Sequence, residues 1–276
     1  MPNSSSITQF LLLAFTDTRE LQLLHFWFFL GIYLAALLGN GLIITAIACD
    51  HRLHTPMYFF LLNLSVFDLG SLSTTLPKSM ANSLWDTRDI SYMGCAVQVF
   101  LLVFLISAEF CLLTVMSYDR YVAICKPLHY GTLLGSRACF FCEIPLLLKL
   151  SCSDKHYFME VGLIVLTSFS LNCCFVFIVV SYVQIFRAVL RFPSEQGRHK
   201  AFSTCLPHLV VVSLFISTVF FAYLKPPSLS SRALDLGFPF LYSVVSPAVN
   251  PLIYSMRNTE LKGSLKKLIL RVDPQK

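Results

Sequence analysis

The stretch AVQVFLLVFLISAEFCLLTVMSYDRYVAIC, Ala96–Cys125, decides how the rest of the chain is read. Its first part, Ala96–Val115, contains one charged side chain, Glu109. As a helix rising about 1.5 Å per residue, it is long enough to cross a ~30 Å hydrocarbon core. Asp119-Arg120-Tyr121 follows, so charge arrives where such a span would reach the membrane surface. A water-facing helix has a polar stripe, and this one has none.

The rest of the sequence repeats that pattern. Of 276 residues, 56% are hydrophobic and 13% charged, against roughly 25% charged in a soluble domain. Further apolar blocks run over Leu23–Cys49, Met57–Leu76, Val161–Phe186, Phe202–Leu224 and Leu234–Met256, with Asp68 inside the second. The expected fold is an all-α membrane bundle in one domain over residues 1–276. Its tail is 1–22, its spans lie near 23–49, 57–76, 96–120, 161–186, 202–224 and 234–256, and its second tail is 257–276. Met1–Glu20 lacks a basic n-region and the first block is too long for a signal-peptide core, so that block is expected to remain as a span.

Net charge is +6, and its placement gives an orientation. Arg120, Lys126 and Arg137 follow the third block. Arg187, Arg191, Arg198 and Lys200 lie between the fourth and fifth, and Arg257, Lys262, Lys266, Lys267 and Arg271 follow the last. The N-terminal tail has only Arg19. Positive charge marks the cytoplasmic side, which places the N-terminus outside and the C-terminus inside. Basic residues scattered among spans argue against nucleic-acid binding. Most cysteines sit within apolar blocks as small packing residues; Cys95, Cys142 and Cys152 lie outside them. Cys139 and Cys142 form a lone C-x-x-C without the second pair or histidines that a metal site would need.

These charges create a parity problem. The chain is inside after the third block and inside again at Arg187–Lys200, so it must cross between Lys126 and Glu160 as well as through Val161–Phe186. The most apolar segment available is ACFFCEIPLLLKL, Ala138–Leu150. It is too short for a helical span, contains Glu143 and Lys149, and is interrupted by Pro145. An extended crossing would leave backbone groups unpaired in lipid at several kcal/mol each.

MSYDRYVAICKPLHY, Met116–Tyr130, resembles the signature of olfactory receptors, a branch of the rhodopsin-like G-protein-coupled receptors. The likeness continues in Gly39-Asn40, in PMYFFLLNLSVFD at Pro56–Asp68, in Gly94-Cys95 and in Ser181-Tyr182. It extends to KAFSTCLPHL at Lys200–Leu209 and NPLIY at Asn250–Tyr254. That family has seven spans. Against its pattern this chain lacks roughly 35 residues between Phe140 and Phe141, the equivalent of a ~20-residue fourth span and part of the following loop.

The resemblance implies roles residue by residue. Arg120 would pair with Asp119 at rest and engage a G protein on activation, with Tyr121 completing the motif. Asn250-Pro251 would act as a hinge, with Tyr254 moving inward beside Tyr182, and Pro207 and His208 would lie on the part of the following span that swings outward. Asn40, Asp68, Glu109 and Asn250 would line a sodium site, the only ion or cofactor implied. Leu102, Val103, Ile106, Ser107, Leu166, Ser170, Ile216, Val219 and Tyr223 would face a pocket for small volatile odorants, with Ile216 standing where many members have Tyr. The implied disulfide joins Cys95 to Cys142 and leaves Cys152 without its partner.

On the residues themselves, Asn3-Ser4-Ser5 is a glycosylation sequon. Asn258–Leu270 places Leu261, Leu265 and Leu268 on one face and its lysines elsewhere, as in a helix lying on a lipid surface. The implied partners are a small odorant, a heterotrimeric G protein of the olfactory stimulatory type, and membrane lipid. The implied location is the plasma membrane, with retention in the endoplasmic reticulum as the alternative fate of a chain missing a span. A six-span transporter or channel would show internal repeats or paired broken helices, and neither is present. A membrane enzyme would need a motif such as H-E-x-x-H or G-x-S-x-G, and the chain has neither.

Overall fold

In the computed structural model the described residues are 9–11, 18–87, 89–126, 156–223, 244–245, 247–254 and 259–272. In chain order the elements are β1 (Gln9–Leu11), α1 (Arg19–Cys49), a 3₁₀ turn (His51–Leu53) and α2 (Pro56–Trp85). They continue with β2 (Asp89–Ser91), α3 (Tyr92–Cys125), α4 (His156–Leu190), α5 (Glu195–Tyr223) and α6 (Thr259–Val272). Residues 247–254 are also helical. Among the described residues, five helices are long and apolar enough to cross a membrane. The helical bundle expected from the sequence is present, with one short two-stranded sheet added to it. Residues 127–155, where the charges lead one to expect a further crossing, and residues 234–243 of the last expected span lie outside the described residues.

The helices run past the apolar blocks because the backbone continues where the side chains turn polar. The expected second span stops at Leu76, before Pro77 and Lys78, yet α2 continues to Trp85. A proline removes one N–H and disturbs one turn without ending a helix held by its neighbours, and Lys78 sends its ammonium to the Asp89 carbonyl at 2.8 Å. At its other end α2 opens with Pro56 at the first helical position, where a missing N–H costs nothing. Its C-terminus is closed by Asp86 in the left-handed region, φ 51°, a conformation that aspartate tolerates better than most residues. Asp86 Oδ1 accepts from Gln22 Nε2 at 2.9 Å. Arg19 donates to the Ser83 and Leu84 carbonyls at 3.2 and 2.6 Å, so the first residue of α1 satisfies carbonyls that the end of α2 leaves open.

The chain divides into two compact units, Met1–Ile106 with Leu209–Lys276, and Ser107–His208. In the first, α1 packs along α2 and against α6. Phe29, Ala36, Leu72, Leu76 and Val244 form its apolar core. β1 pairs antiparallel with β2, Phe10 opposite Ile90. Ser91 then caps α3, its Oγ accepting from the Gly94 N–H at 3.1 Å. In the second unit Leu113, Met116 and Val122 of α3, Ile178, Tyr182 and Ile185 of α4, and Cys205 of α5 are buried.

Among the described residues, hydrogen bonds and a buried leucine hold α6. Tyr58 donates to Glu260 Oε2 at 2.8 Å, Ser264 donates to Asp50 Oδ2 at 2.6 Å, and Leu261 is fully buried. Lys262, Lys266 and Lys267 are exposed, so the helix has the amphipathic character expected of it. Asp50 also caps the 3₁₀ turn through the Arg52 N–H and receives the Arg52 guanidinium at 3.1 and 2.9 Å.

Hydrogen bonds from Arg52 and then Ser264 hold Asp50 well below the usual carboxylate range. A depressed folded-state pKa gives stability that is complete above the unfolded value, about 3.9, and is lost only as pH falls through the folded one. The Asp50 contribution to α6 docking is therefore expected to be constant between about pH 5 and 8. Thiol labelling of Leu261→Cys, compared with and without Asp50→Asn, measures it. A difference between the two that shrinks toward pH 5 would contradict the assignment.

Candidate functional site

The first unit gathers polar groups around a backbone defect. Pro251 has no N–H, so the carbonyl four residues earlier, that of Pro247, loses its helical partner. Asn40 Nδ2 donates to the Pro247 carbonyl at 3.1 Å and to its own Ala36 carbonyl at 3.1 Å. Gly39 eases the approach beside it, because a Cβ there would lie 3.2 Å from Pro251 Cβ, a tight contact. The Gly39-Asn40 pair thus makes room for the proline ring and satisfies the carbonyl that the ring exposes. Next to Pro251, Asn250 Nδ2 donates to both carboxylate oxygens of Asp68, at 3.2 and 3.1 Å. Asn40, Asp68 and Asn250 are all buried, Asp68 completely.

These residues also present oxygens that make no hydrogen bond among the described residues. Asn40 Oδ1, Asn250 Oδ1 and Ser71 Oγ are buried without a hydrogen-bond partner. Ser71 stands one helical turn beyond Asp68 on α2. A buried carboxylate with unpartnered carbonyl and hydroxyl oxygens is a donor set suited to a hard cation. The residues present therefore fit the sodium ion that the family pattern implies. Asn250 bonds Asp68 directly, and Asn40 bonds the Pro247 carbonyl three residues before Asn250. Ser71 was not anticipated, although its i+3 spacing from Asp68 was a readable signal. Glu109 is buried as well, but belongs to the second unit.

The second unit contains a different polar cluster. Arg120 Nη2 lies 3.6 Å from Asp119 Oδ2, and both side chains are largely removed from solvent. Tyr121 is half-buried, with Lys126 Nζ 5.9 Å from its ring centre. His208 is buried between α3 and α4. Its Nε2 lies 3.0 Å from the Leu113 carbonyl and its Nδ1 2.5 Å from the Tyr182 hydroxyl. A carbonyl only accepts, so Nε2 carries the proton, Nδ1 is the acceptor, and the Tyr182 hydroxyl donates to it. Sequence reading named Tyr182 and His208 separately; the structure makes them one unit, with their rings stacked at 22°.

The remaining expected residues are placed as follows. Pro251 is buried and Tyr254 half-buried in the helical stretch 247–254. Leu102, Ile106, Ser107 and Ile216 are half-buried, while Val103 and Ser170 are exposed. The side chains of Leu166, Val219 and Tyr223 lie outside the described ones, as do Asn3 and Cys142. Cys95 is half-buried near the start of α3.

Comparison with known proteins gives this geometry a family. Residues 39–144 match the model of the seven-transmembrane receptors of the rhodopsin family, and residues 136–272 match that of olfactory receptors. Human olfactory receptor 14J1 is 44% identical over 312 aligned positions, covering 100% of this chain and 97% of that receptor. The chain belongs to the olfactory receptor family. Human olfactory receptor 14C36 is 43% identical, covering 99% of this chain and 98% of that receptor, and gorilla olfactory receptor 1G1 is 41% identical over 302 positions. This is a multi-pass receptor family of the plasma membrane that binds odorants and signals through G proteins, and it is not an enzyme family. Nothing in these similarities supports a transporter or channel. The alignment with 14J1 has 312 positions against 276 residues here, so at least 36 of them have no residue in this olfactory receptor. A gap of that size is consistent with the missing span that the family pattern implies.

Pro251→Ala would return an N–H to the Pro247 carbonyl, so Asn40 and Pro251 are expected to be coupled. Asn40→Ala is expected to cost about 1–3 kcal/mol, the scale of a buried polar group left unpaired, in the native background. It is expected to cost clearly less in Pro251→Ala. Thermal unfolding of the four detergent-solubilised proteins tests this; equal losses in both backgrounds would refute it.

Proposed function

We propose that this chain carries the switch of an odorant receptor in its resting arrangement, oriented with the N-terminus outside and the Asp119-Arg120-Tyr121 end of α3 in the cytoplasm. The observation that carries the proposal is the Tyr182–His208–Leu113 contact. It ties α4 and α5 to α3 within the same unit that holds the Asp119–Arg120 pair. Activation would require Tyr182 to leave His208 and Arg120 to leave Asp119, exposing a cationic fork to a G protein. Arginine suits that task because its guanidinium remains charged and offers several donors in one plane. The partner proposed is the olfactory stimulatory G protein.

The ligand proposed is small, volatile and mainly apolar, consistent with Leu102, Ile106 and Ile216, which offer no charge to hold a polar molecule. Sodium held by Asp68 with the oxygens of Asn40, Ser71 and Asn250 would supply the countercharge that a buried carboxylate needs. Without the ion, a proton on Asp68 would serve the same purpose. A bridge from Cys95 to Cys142 would fasten the outer end of α3 to the segment that follows the gap.

The missing span is proposed to be disabling. Without it the chain must cross between Lys126 and Glu160 at several kcal/mol for each unpaired backbone group in lipid. A few such groups equal a whole stability of about 5–15 kcal/mol. Most molecules are therefore expected to remain in the endoplasmic reticulum. Insertion of a relative's fourth span and loop between Phe140 and Phe141 is expected to raise surface staining of an N-terminal tag on unpermeabilised cells. Equal staining with and without the insert would refute this. In the restored receptor, Arg120→Ala at matched surface level is expected to abolish odorant-evoked cyclic AMP. An undiminished response would show that Arg120 is not the coupling residue.

A further inference from the structure

We propose that Ser264 is a phosphate acceptor for a basophilic serine kinase, and that its modification releases α6 from the 3₁₀ turn at residues 51–53. The proposal rests on the orientation above, with α6 on the cytoplasmic side, where nucleoside triphosphate and kinases are found.

Ser264 is the hydroxyl on the docked face of α6, only 7% exposed, and it donates to Asp50 Oδ2 at 2.6 Å. Exposed Lys262, Lys266 and Lys267 flank it in sequence, giving the positive setting that a kinase selective for basic substrates recognises. Neither the charge rule nor lipid binding accounts for a buried serine among them. In the transfer, Ser264 Oγ bonds to the γ-phosphorus of a nucleoside triphosphate. The bond from that phosphorus to its bridging oxygen breaks, nucleoside diphosphate departs, and the hydroxyl proton passes to the kinase.

The product cannot occupy the docked position. Phosphoserine carries about −1.5 to −2 charges at neutral pH, and the oxygen it would approach belongs to an ionised carboxylate. Arg52 already has its Nε and Nη2 on Asp50 at 3.1 and 2.9 Å, so keeping a phosphate docked would require its remaining donors to be re-aimed. A separation of 2.6 Å between Oγ and Oδ2 also leaves no volume for a phosphoryl group. Modification must therefore occur when α6 is transiently undocked, and it then holds that state by removing its return contact. The helix is suited to such opening, since Tyr58–Glu260, Asp50–Ser264 and the buried Leu261 are its described anchors.

The test uses the full chain in microsomes with the cytoplasmic face outward. Purified basophilic kinase and magnesium nucleoside triphosphate are added, and peptides are mapped by mass spectrometry. Phosphate is expected on Ser264. Thiol labelling of Leu261→Cys is expected to become about tenfold faster on phosphorylation or in Ser264→Asp, the scale of a lost hydrogen bond to a charged group. Adding Asp50→Asn to Ser264→Asp is expected to slow labelling again, because an amide can donate to the new carboxylate. The glycan at Asn3 reports topology in the same sample. An unglycosylated Asn3 with a protected α6 would overturn the orientation and this proposal together. A glycosylated chain with no phosphate on Ser264, or with labelling unchanged by Ser264→Asp, would overturn this proposal alone.

Discussion

One carbonyl organises the first unit. Pro251 withdraws the N–H that would have paired with the Pro247 oxygen, and in a hydrocarbon setting no water replaces it. Asn40 supplies the missing donor from α1, and Gly39 lets α1 approach closely enough to do so. With that approach secured, Asn250 reaches Asp68 on α2. Three segments far apart in sequence are thus tied by polar groups that would each be costly alone. Apolar side chains discriminate weakly between protein and lipid, so they could not select this arrangement by themselves. Phe29, Ala36, Leu72, Leu76 and Val244 fill the space that these bonds define.

The second unit applies the same logic to a buried histidine. His208 uses both ring nitrogens, one to a backbone carbonyl of α3 and one to the Tyr182 hydroxyl of α4. Neither bond can be given up without finding another partner, so the arrangement has discrete alternatives rather than a continuum. The Asp119–Arg120 pair at 3.6 Å is the looser contact of the two. A close neutral network beside a looser ion pair is what the proposed resting arrangement rests on.

The relatives show what this chain has lost. An alignment of 312 positions to 276 residues leaves room for one further span and its loop. With the orientation expected from the basic residues, the chain would need the same number of crossings as an intact receptor. The internal motifs remain, so each unit keeps its local chemistry.

Composition and spacing determined much of this without coordinates. Long blocks nearly free of charge can be stable only as helices in lipid, and basic residues at their ends set the orientation. The order of the motifs identified the family, and comparison with that family's pattern gave the gap that the parity of the crossings had left unexplained. Helix ends were less legible: α2 runs past Pro77 to Trp85 because Arg19, Gln22 and Lys78 reach across from other parts of the chain or from its own surface. The pairing of Tyr182 with His208, the capture of the Pro247 carbonyl by Asn40, and the docking of Ser264 on Asp50 were decided only by the tertiary structure. Each joins residues separated by 26 to 214 positions. A sequence specifies which donors and acceptors exist, but which of them meet depends on how the helices pack. In a chain this apolar, packing is set by the few polar groups that cannot remain unpaired in lipid.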